Sequence, residues 1–153
     1  MHNSKEIISR NIYALRELLD KFSDDEKNKI ITIASVFVKT INSGGCIFWC
    51  GNGGSASDSQ HLSAELIGRF KKNRIPFKSL SLNSDTAAIT CISNDFGYEN
   101  LFSRQLEALG NKGDLLVVLS TSGNSKNIEK VLEKAKIKQI QTIALLGLSL
   151  IHI

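Results

Sequence analysis

Cysteine is scarce in this sequence, and its placement excludes a disulfide scaffold. The 153 residues include three cysteines, at positions 46, 50 and 91, with no CxxC pair among them. Cys46 and Cys50 lie in one predicted strand, where a rise of ~3.3 Å per residue separates them by roughly 13 Å, too far for a disulfide. We therefore predict reduced thiols and a cytoplasmic protein.

Long apolar runs and a strong excess of one charge are also absent. The longest apolar runs, LLVVL (115–119) and TIALLG (142–147), have the length of strands and cannot span a bilayer. The N-terminal stretch MHNSKEIISRN lacks the apolar core of a signal peptide. A net charge of +4 suits an anionic small molecule, and the basic run RFKKNR (69–74) is interpreted as a solvated loop. We expect neither a membrane nor a nucleic-acid partner.

A single proline leaves room for long helices between short apolar runs. Two helices are predicted over 3–42, the second opening with a capping box at Ser23–Glu26. After residue 45, strands at 46–50, 77–83, 115–119 and 142–146 alternate with helical segments. Strands that are apolar on both faces form a parallel sheet with helices on each side, so we predict an α/β fold with a doubly wound sheet. Its connections bring the turns after the first and third strands to one edge.

The turn STSGNS, after the third strand, is the stronger candidate for a ligand site. Five hydroxyl- or amide-bearing side chains surround Gly123 just before a predicted helix: Ser120, Thr121, Ser122, Asn124 and Ser125. Free N–H groups at a helix start favour a phosphate, and hydroxyls can donate to it. Helix capping is the alternative, but a cap needs only one such residue.

The turn GNGGS (51–55), after the first strand, is less specific, because glycine also serves wherever the backbone needs a positive φ. It does not match GxGxxG, so a dinucleotide site is not favoured. On the helix that follows, Asp58, His61 and Glu65 share one stripe. His61 and Glu65 are two metal ligands, an acid/base pair, or an ordinary intrahelical contact on an exposed face.

Two further polar stretches are less informative. Asn94 and Asp95, in a loop predicted over 94–98, either reach ligand hydroxyls or cap a turn. The face formed by Lys126, Lys130 and Lys134 is interpreted as a solvated helix surface without a function.

Three stretches together resemble the sugar isomerase (SIS) domain family, and within it the bacterial D-sedoheptulose 7-phosphate isomerases: CGNGGSASDSQHLSAELIGRF, SNDFGYENLFSRQLEALG and GDLLVVLSTSGNSKNI. The resemblance implies a flavodoxin-like three-layer α/β/α fold and a cytoplasmic homotetramer. It also implies conversion of sedoheptulose 7-phosphate into D-glycero-D-manno-heptose 7-phosphate through an enediol or enediolate. That reaction is the first step towards heptose for lipopolysaccharide or other surface glycans.

The resemblance also implies roles for individual residues. Glu65 is the expected catalytic base and, with His61, an expected ligand of one zinc ion per subunit. Zinc would stabilise the enediolate oxygens, but a carboxylate bound to zinc is a poorer base, so the two roles of Glu65 compete. Substrate contacts are expected from ten residues: Asn52, Gly53, Gly54, Glu65, Asn94, Asp95, Ser120, Thr121, Ser122 and Ser125.

The sequence departs from the family at its end. Family members add a strand and a long helix whose Gln and His complete the metal and acid/base site, and His2 and His152 do not fit that pattern. We interpret 1–147 as a single SIS domain, with N-terminal helices at 3–42 and an α/β core at 45–147, and LSLIHI (148–153) as a tail foreign to the family. The remaining zinc ligands are expected from the missing part, and the chain as it stands is expected to be poorly stable or to aggregate.

Two alternatives to an isomerase stay open at this point. One is a non-catalytic SIS module that binds a phosphosugar or associates with a replication initiator, and the other is a sugar-phosphate sensor, although no DNA-binding region accompanies it. A pure binding module needs no carboxylate at position 65. The isomerase hypothesis requires that Glu65, from the same chain or from a neighbouring subunit, lies beside the turn 120–125.

Overall fold

The computed structural model describes residues 2–147. Its six helices are α1 (His2–Asp20), α2 (Asp24–Asn42), α3 (Gly54–Ile67), α4 (Thr86–Phe96), α5 (Leu101–Leu109) and α6 (Lys126–Ile137). Its four strands are β1 (Ile47–Gly51), β2 (Ser79–Ser81), β3 (Leu115–Ser120) and β4 (Gln141–Leu146), and a 3-10 turn at Tyr98–Asn100 precedes α5. No helix within these residues is long and apolar enough to cross a bilayer.

All four strands are parallel, in the order β2-β1-β3-β4. The chain builds outward from β1 to β2 and then returns to place β3 on the other side of β1. The order therefore reverses between β1 and β3, and open α/β sheets bind ligands beyond the carboxyl ends of strands at such a point. The predicted doubly wound parallel sheet is confirmed.

Helices cover both faces of the sheet. On one face, Phe48 and Val118 belong to a buried core that includes Phe102 of α5 and Val131 of α6. On the other, the indole N–H of Trp49 donates to Ser79 Oγ (2.9 Å), which donates to Ser63 Oγ of α3 (3.0 Å). The predicted three-layer arrangement is therefore confirmed.

The chain divides into two compact units, residues 1–36 and residues 37–153. In the first unit, the predicted capping box is present: Ser23 N–H donates to Glu26 Oε2 (2.7 Å), and Glu26 N–H donates to Ser23 Oγ (3.3 Å). The bond from the Ser23 backbone stabilises the carboxylate and lowers the pKa of Glu26. Large apolar side chains of this unit are exposed: Ile8, Ile12, Leu15, Leu18, Leu19, Ile30 and Ile31. The assignment of 1–147 to one domain stays a prediction, and residues 148–153 lie outside the described residues.

The predicted loop at 94–98 is wrong, because Asn94 and Asp95 lie in the last turns of α4. Asp85 begins this helix by accepting a hydrogen bond from Ala88 N–H (3.0 Å). Ile89 and Ile92 pack against the core and hold the helix in place. The helix ends only at Gly97, whose φ of 85° few other residues adopt.

Two basic segments interpreted as solvated in fact make defined contacts. Arg74, in the run RFKKNR, donates to the carbonyl oxygens of Glu65 (2.7 Å) and Leu66 (2.8 Å) at the end of α3. On α6, Lys130 Nζ donates to Asn100 Oδ1 (3.1 Å), and Lys134 Nζ donates to Glu107 Oε1 (2.9 Å). Arg74 therefore satisfies carbonyl groups that a helix end leaves without partners, and the lysines connect α6 to its neighbours.

Candidate functional site at the carboxyl edge of the sheet

The turn after β3 uses only part of its polar capacity within the chain. Ser120 is buried, and its Oγ accepts from Gly123 N–H (3.1 Å), while Ser122 Oγ accepts from Asn124 N–H (3.3 Å). Ser125 precedes α6 in an extended conformation, but its side chain makes no capping hydrogen bond. Thr121, Ser122 and Asn124 are exposed. Capping therefore does not account for this cluster of side chains, and a turn at the start of a twelve-residue helix offers hydroxyl and N–H donors to an anion.

The turn after β1 needs two of its glycines, Gly51 and Gly53. A Cβ on Gly51 would lie 2.6–2.8 Å from atoms of Ser55, so any side chain there would collide with the first turn of α3. Gly53 has a φ of 59°. The side chain of Asn83, just beyond β2, accepts from Gly51 N–H (3.2 Å) and donates to the Gly51 carbonyl (2.9 Å). An asparagine side chain thus continues the pairing of β1 after β2 has ended.

Asn52 joins the two turns. Its Nδ2 donates to Asn127 Oδ1 (2.9 Å), and Asn127 Nδ2 donates back to Asn52 Oδ1 (2.9 Å). Asn127 is 2% exposed and lies in the first turn of α6, directly after the serine-rich turn. This exchange of two hydrogen bonds holds the start of α6 against the GNGGS turn, as the common edge of their strands predicts.

A third segment of the predicted site reaches the same asparagine. The hydroxyl of Tyr98, in the 3-10 turn after α4, donates to Asn52 Oδ1 (2.9 Å). The predicted site residues Asn94 and Asp95 lie just before Tyr98, at the end of α4. Asn94 Nδ2 donates to Asp95 Oδ1 (2.7 Å), and both side chains are exposed. Asn52 therefore brings together the GNGGS turn, the NDFGY segment and the start of α6.

His61 and Glu65 are not part of this cluster. Glu65 lies eleven residues after Gly54, the first residue of α3, which places it about 16 Å further along the helix axis. Its backbone carbonyl is held by Arg74, at the end of α3 that precedes β2. Within one chain, the carboxylate and the serine-rich turn are therefore at opposite ends of α3.

The pair itself has the geometry of a loose contact. His61 Nε2 lies 4.0 Å from Glu65 Oε1, with the side chains 73% and 31% exposed. Glu65 Oε2 is shielded from solvent and has no hydrogen-bond partner among the described residues. A shielded carboxylate oxygen without a partner is costly, so this atom is suited to a proton donor, a cation or a polar group that the described chain does not supply.

The fit to zinc is incomplete within the described part of the chain. Residues 2–147 contain no group of three or more His, Cys, Asp or Glu side chains that could hold a metal ion. His61 and Glu65 supply two ligands, whereas protein zinc sites use three or four. Any further ligand has to come from outside the described residues or from another chain.

Comparison with known proteins places these features in a family. The family model described as "SIS domain" matches residues 12–147. The chain belongs to the SIS-domain family. Two of the sites that carry its resemblance, the GNGGS turn and the serine-rich turn, are the ones that Asn52 and Asn127 hold together.

Relatives of this SIS domain have consistent names. A phosphoheptose isomerase of Helicobacter pylori strain P12 is 46% identical over 93% of this chain and 74% of its own length. A phosphoheptose isomerase of Akkermansia muciniphila is 53% identical over 75% of this chain and 61% of its own length. The solved structure of a phosphoheptose isomerase from Francisella tularensis superposes with a TM-score of 0.86 at 32% identity, over 95% of this chain and 76% of that one. The predicted family and fold are therefore confirmed.

The sequence prediction of the SIS site missed Asn127 and Tyr98. The sequence does not single out Asn127, because this residue follows the serine-rich turn at a helical position, where a polar side chain is usually solvated. Tyr98 enters the sequence prediction only as part of the loop at 94–98. A polar residue in the first helical turn after the serine-rich turn is the one signal that points to Asn127.

Proposed function

We propose that this chain is a phosphoheptose isomerase that interconverts D-sedoheptulose 7-phosphate and D-glycero-D-manno-heptose 7-phosphate. The observation that carries the proposal is the donor-rich turn Ser120–Ser125, joined through Asn127 to Asn52 at the point where the strand order reverses. The SIS-domain relatives named phosphoheptose isomerase support a heptose phosphate as the ligand at this edge of the sheet.

The serine-rich turn is proposed to hold the phosphate group. Thr121, Ser122 and Ser125 offer hydroxyl donors, and the N-terminal end of α6 favours negative charge. Asn52, Gly53 and Gly54 lie in the neighbouring turn. Asn94 and Asp95 lie at the end of α4, shortly before Tyr98, whose hydroxyl donates to Asn52. These residues are proposed to contact the hydroxyl groups of the sugar.

The chemical step requires a base beside the carbonyl. A carboxylate removes a proton from C1 of the ketose while the C2 oxygen gains one, which gives an enediol. Proton return to C2 and loss of the C1 hydroxyl proton then complete the aldose. Glu65 is the proposed base, because its Oε2 has no hydrogen-bond partner among residues 2–147 and is free to accept a proton.

The position of Glu65 supports a site shared between copies of the chain. About 16 Å of α3 separates it from the GNGGS turn, so a neighbouring subunit is proposed to bring its own Glu65 to the serine-rich turn. The exposed apolar side chains of residues 1–36, which include Ile8, Ile12 and Leu15, offer a surface for such self-association. We propose a closed homotetramer, in keeping with the symmetric assembly of most soluble oligomers.

Zinc belongs to the proposal as an additional component. His61 and Glu65 would hold it, with other ligands supplied from outside residues 2–147, and it would stabilise negative charge on the enediolate oxygens. Metal analysis of purified protein tests this. We expect zinc in the wild type and its loss in His61→Ala.

Two further parts of the proposal concern the cell. The three cysteines are free, as suits a reducing compartment, so we propose a cytoplasmic location. The product is proposed to supply heptose for lipopolysaccharide or another surface glycan. The non-catalytic alternative is not favoured, because the relatives bear isomerase names and Glu65 is present.

The test compares wild type with Glu65→Gln on sedoheptulose 7-phosphate. We expect turnover to fall by about 10²–10⁴-fold, the usual contribution of a general base, while the dissociation constant of the sugar phosphate stays within about threefold. Glu133→Gln, an exposed glutamate on α6, is the matched control and should keep full turnover. Equal turnover in Glu65→Gln and wild type would remove Glu65 from the mechanism. A wild type that binds the sugar phosphate without converting it would favour the non-catalytic module.

A further inference from the structure

The side-chain amide of Asn52 has almost no unused hydrogen-bonding capacity. Its Oδ1 accepts from the Tyr98 hydroxyl and from Asn127 Nδ2, each at 2.9 Å, which occupies both lone pairs. Its Nδ2 gives one of its two hydrogens to Asn127 Oδ1. One N–H of Asn52 therefore remains for a ligand.

Tyr98 fixes which end of this amide is available. The exchange between Asn52 and Asn127 is reciprocal, so it alone would be satisfied equally well with both amides turned over. The Tyr98 hydroxyl contacts the Asn52 amide on one side only. A phenol is a better hydrogen-bond donor than acceptor, so this contact favours the observed orientation, in which Asn52 presents oxygen to Tyr98 and nitrogen to the open side.

We infer that Tyr98 is a positioning residue that orients Asn52 as a hydrogen-bond donor to the sugar phosphate, on the basis of the function proposed above. In this orientation Asn52 can bind only an acceptor on the ligand, such as a phosphate, carbonyl or hydroxyl oxygen. A ligand that has to donate at this point finds both lone pairs of Oδ1 already used.

The 3-10 turn that carries Tyr98 is anchored independently of its hydroxyl. Lys130 of α6 lies 3.1 Å from Asn100 Oδ1 and 3.6 Å from Glu99 Oε1, so two neighbours of Tyr98 are tied to that helix. Tyr98 itself is 54% exposed. Tyr98→Phe therefore removes one hydrogen bond and leaves the path of the backbone in place.

The experiment has two measurements on the full chain. In the absence of ligand, NMR follows solvent exchange of the Asn52 side-chain amide protons. Calorimetry then gives the dissociation constant of sedoheptulose 7-phosphate. For Tyr98→Phe we expect amide exchange to be about three- to tenfold faster and the sugar phosphate to bind about three- to tenfold more weakly, the net effect of one hydrogen bond. The melting temperature should stay within about 2 °C of the wild type, because the hydroxyl lies on an exposed residue.

The chain offers a matched control in its only other tyrosine, Tyr13, an exposed residue of α1. Tyr13→Phe should leave both measurements unchanged. Unchanged exchange or unchanged binding in Tyr98→Phe would overturn the positioning role, and a lowered melting temperature with unchanged binding would show a structural role instead. If the wild type does not bind the sugar phosphate, both the proposed function and the positioning role are wrong. If wild type and Tyr98→Phe bind it with equal dissociation constants, only the positioning role is wrong.

Discussion

The two ends of α3 differ in how completely the chain has built them. At the first end, hydrogen bonds of 2.9 Å join Asn52 to Asn127 and to Tyr98, and the serine-rich turn just before Asn127 has internal hydrogen bonds of 3.1 and 3.3 Å. At the second end, His61 and Glu65 are 4.0 Å apart, and one carboxylate oxygen has no partner among the described residues. The groups proposed to bind the ligand are thus held together within one chain, whereas the proposed chemistry depends on groups from elsewhere.

If the proposal holds, substrate binding and the chemical step depend on different ends of α3. A substitution at the first end is expected to act on binding, and one at the second end on the rate of the chemical step. Experiments on variants of each end, alone and in mixture, test whether binding and the chemical step are separate in this way.

The largest effect is expected when two inactive variants are mixed. Ser122→Asp places a negative charge in the serine-rich turn, and Glu65→Gln removes the base, so each alone should be nearly inactive. If the turn of one copy works with Glu65 of another, random mixing restores about a quarter of the sites, because each site then needs two intact halves from different chains. Activity after co-refolding at equal concentrations measures this. Mixed protein as inactive as either variant would place both halves in one chain.

A smaller effect is expected for Ser122→Asp on binding alone. The added carboxylate faces the proposed phosphate, and repulsion between like charges at contact distance should weaken sugar-phosphate binding by roughly 100-fold. Calorimetry measures the change. The melting temperature should not fall, because Ser122 is exposed. Gln141→Glu, at the exposed start of β4 on the opposite edge of the sheet, adds the same charge as a control. Equal weakening in both variants would indicate a general charge effect instead of a phosphate site.

The smallest effect concerns how firmly the first end is held. Cys50 immediately precedes Gly51 and is buried, and this burial raises the pKa of its thiol, whereas Cys91 on α4 is exposed. Burial also raises the pKa of Cys46 to about 11. Near pH 8 we expect a thiol reagent to modify Cys91 quickly and Cys50 only as the chain unfolds, as followed by mass spectrometry. Fast modification of Cys50 would mean that the binding end opens in the native state.

The meeting of the turns after β1 and β3 could be predicted from the sequence, because chain topology determines it. Alternating strands and helices dictate where the turns after β1 and β3 meet, and the residues of those turns are unusual enough to stand out. The contacts of Asn127 and Tyr98 could not be predicted this way, because they depend on how far the first turn of α6 and the end of α4 approach Asn52. The same limit applies to Lys130, whose partners come from a segment about thirty residues away.

The sequence favours a loop at Asn94 and Asp95, where the structure has a helix, for a local reason. Serine, asparagine and aspartate are weak helix formers, so the SND stretch favoured a loop. Packing of Ile89 and Ile92 against the core outweighed this preference. The length of α3 likewise sets how far His61 and Glu65 lie from the serine-rich turn.

Arg74 connects the loop between α3 and β2 to Glu65, the proposed catalytic base. By donating to the carbonyl oxygens of Glu65 and Leu66, its guanidinium holds the segment between α3 and β2 against Glu65, the residue proposed to meet a substrate on another subunit. A shift of that segment would therefore be transmitted directly to the proposed base. Changes in the length or composition of this loop are expected to change turnover without altering the serine-rich turn.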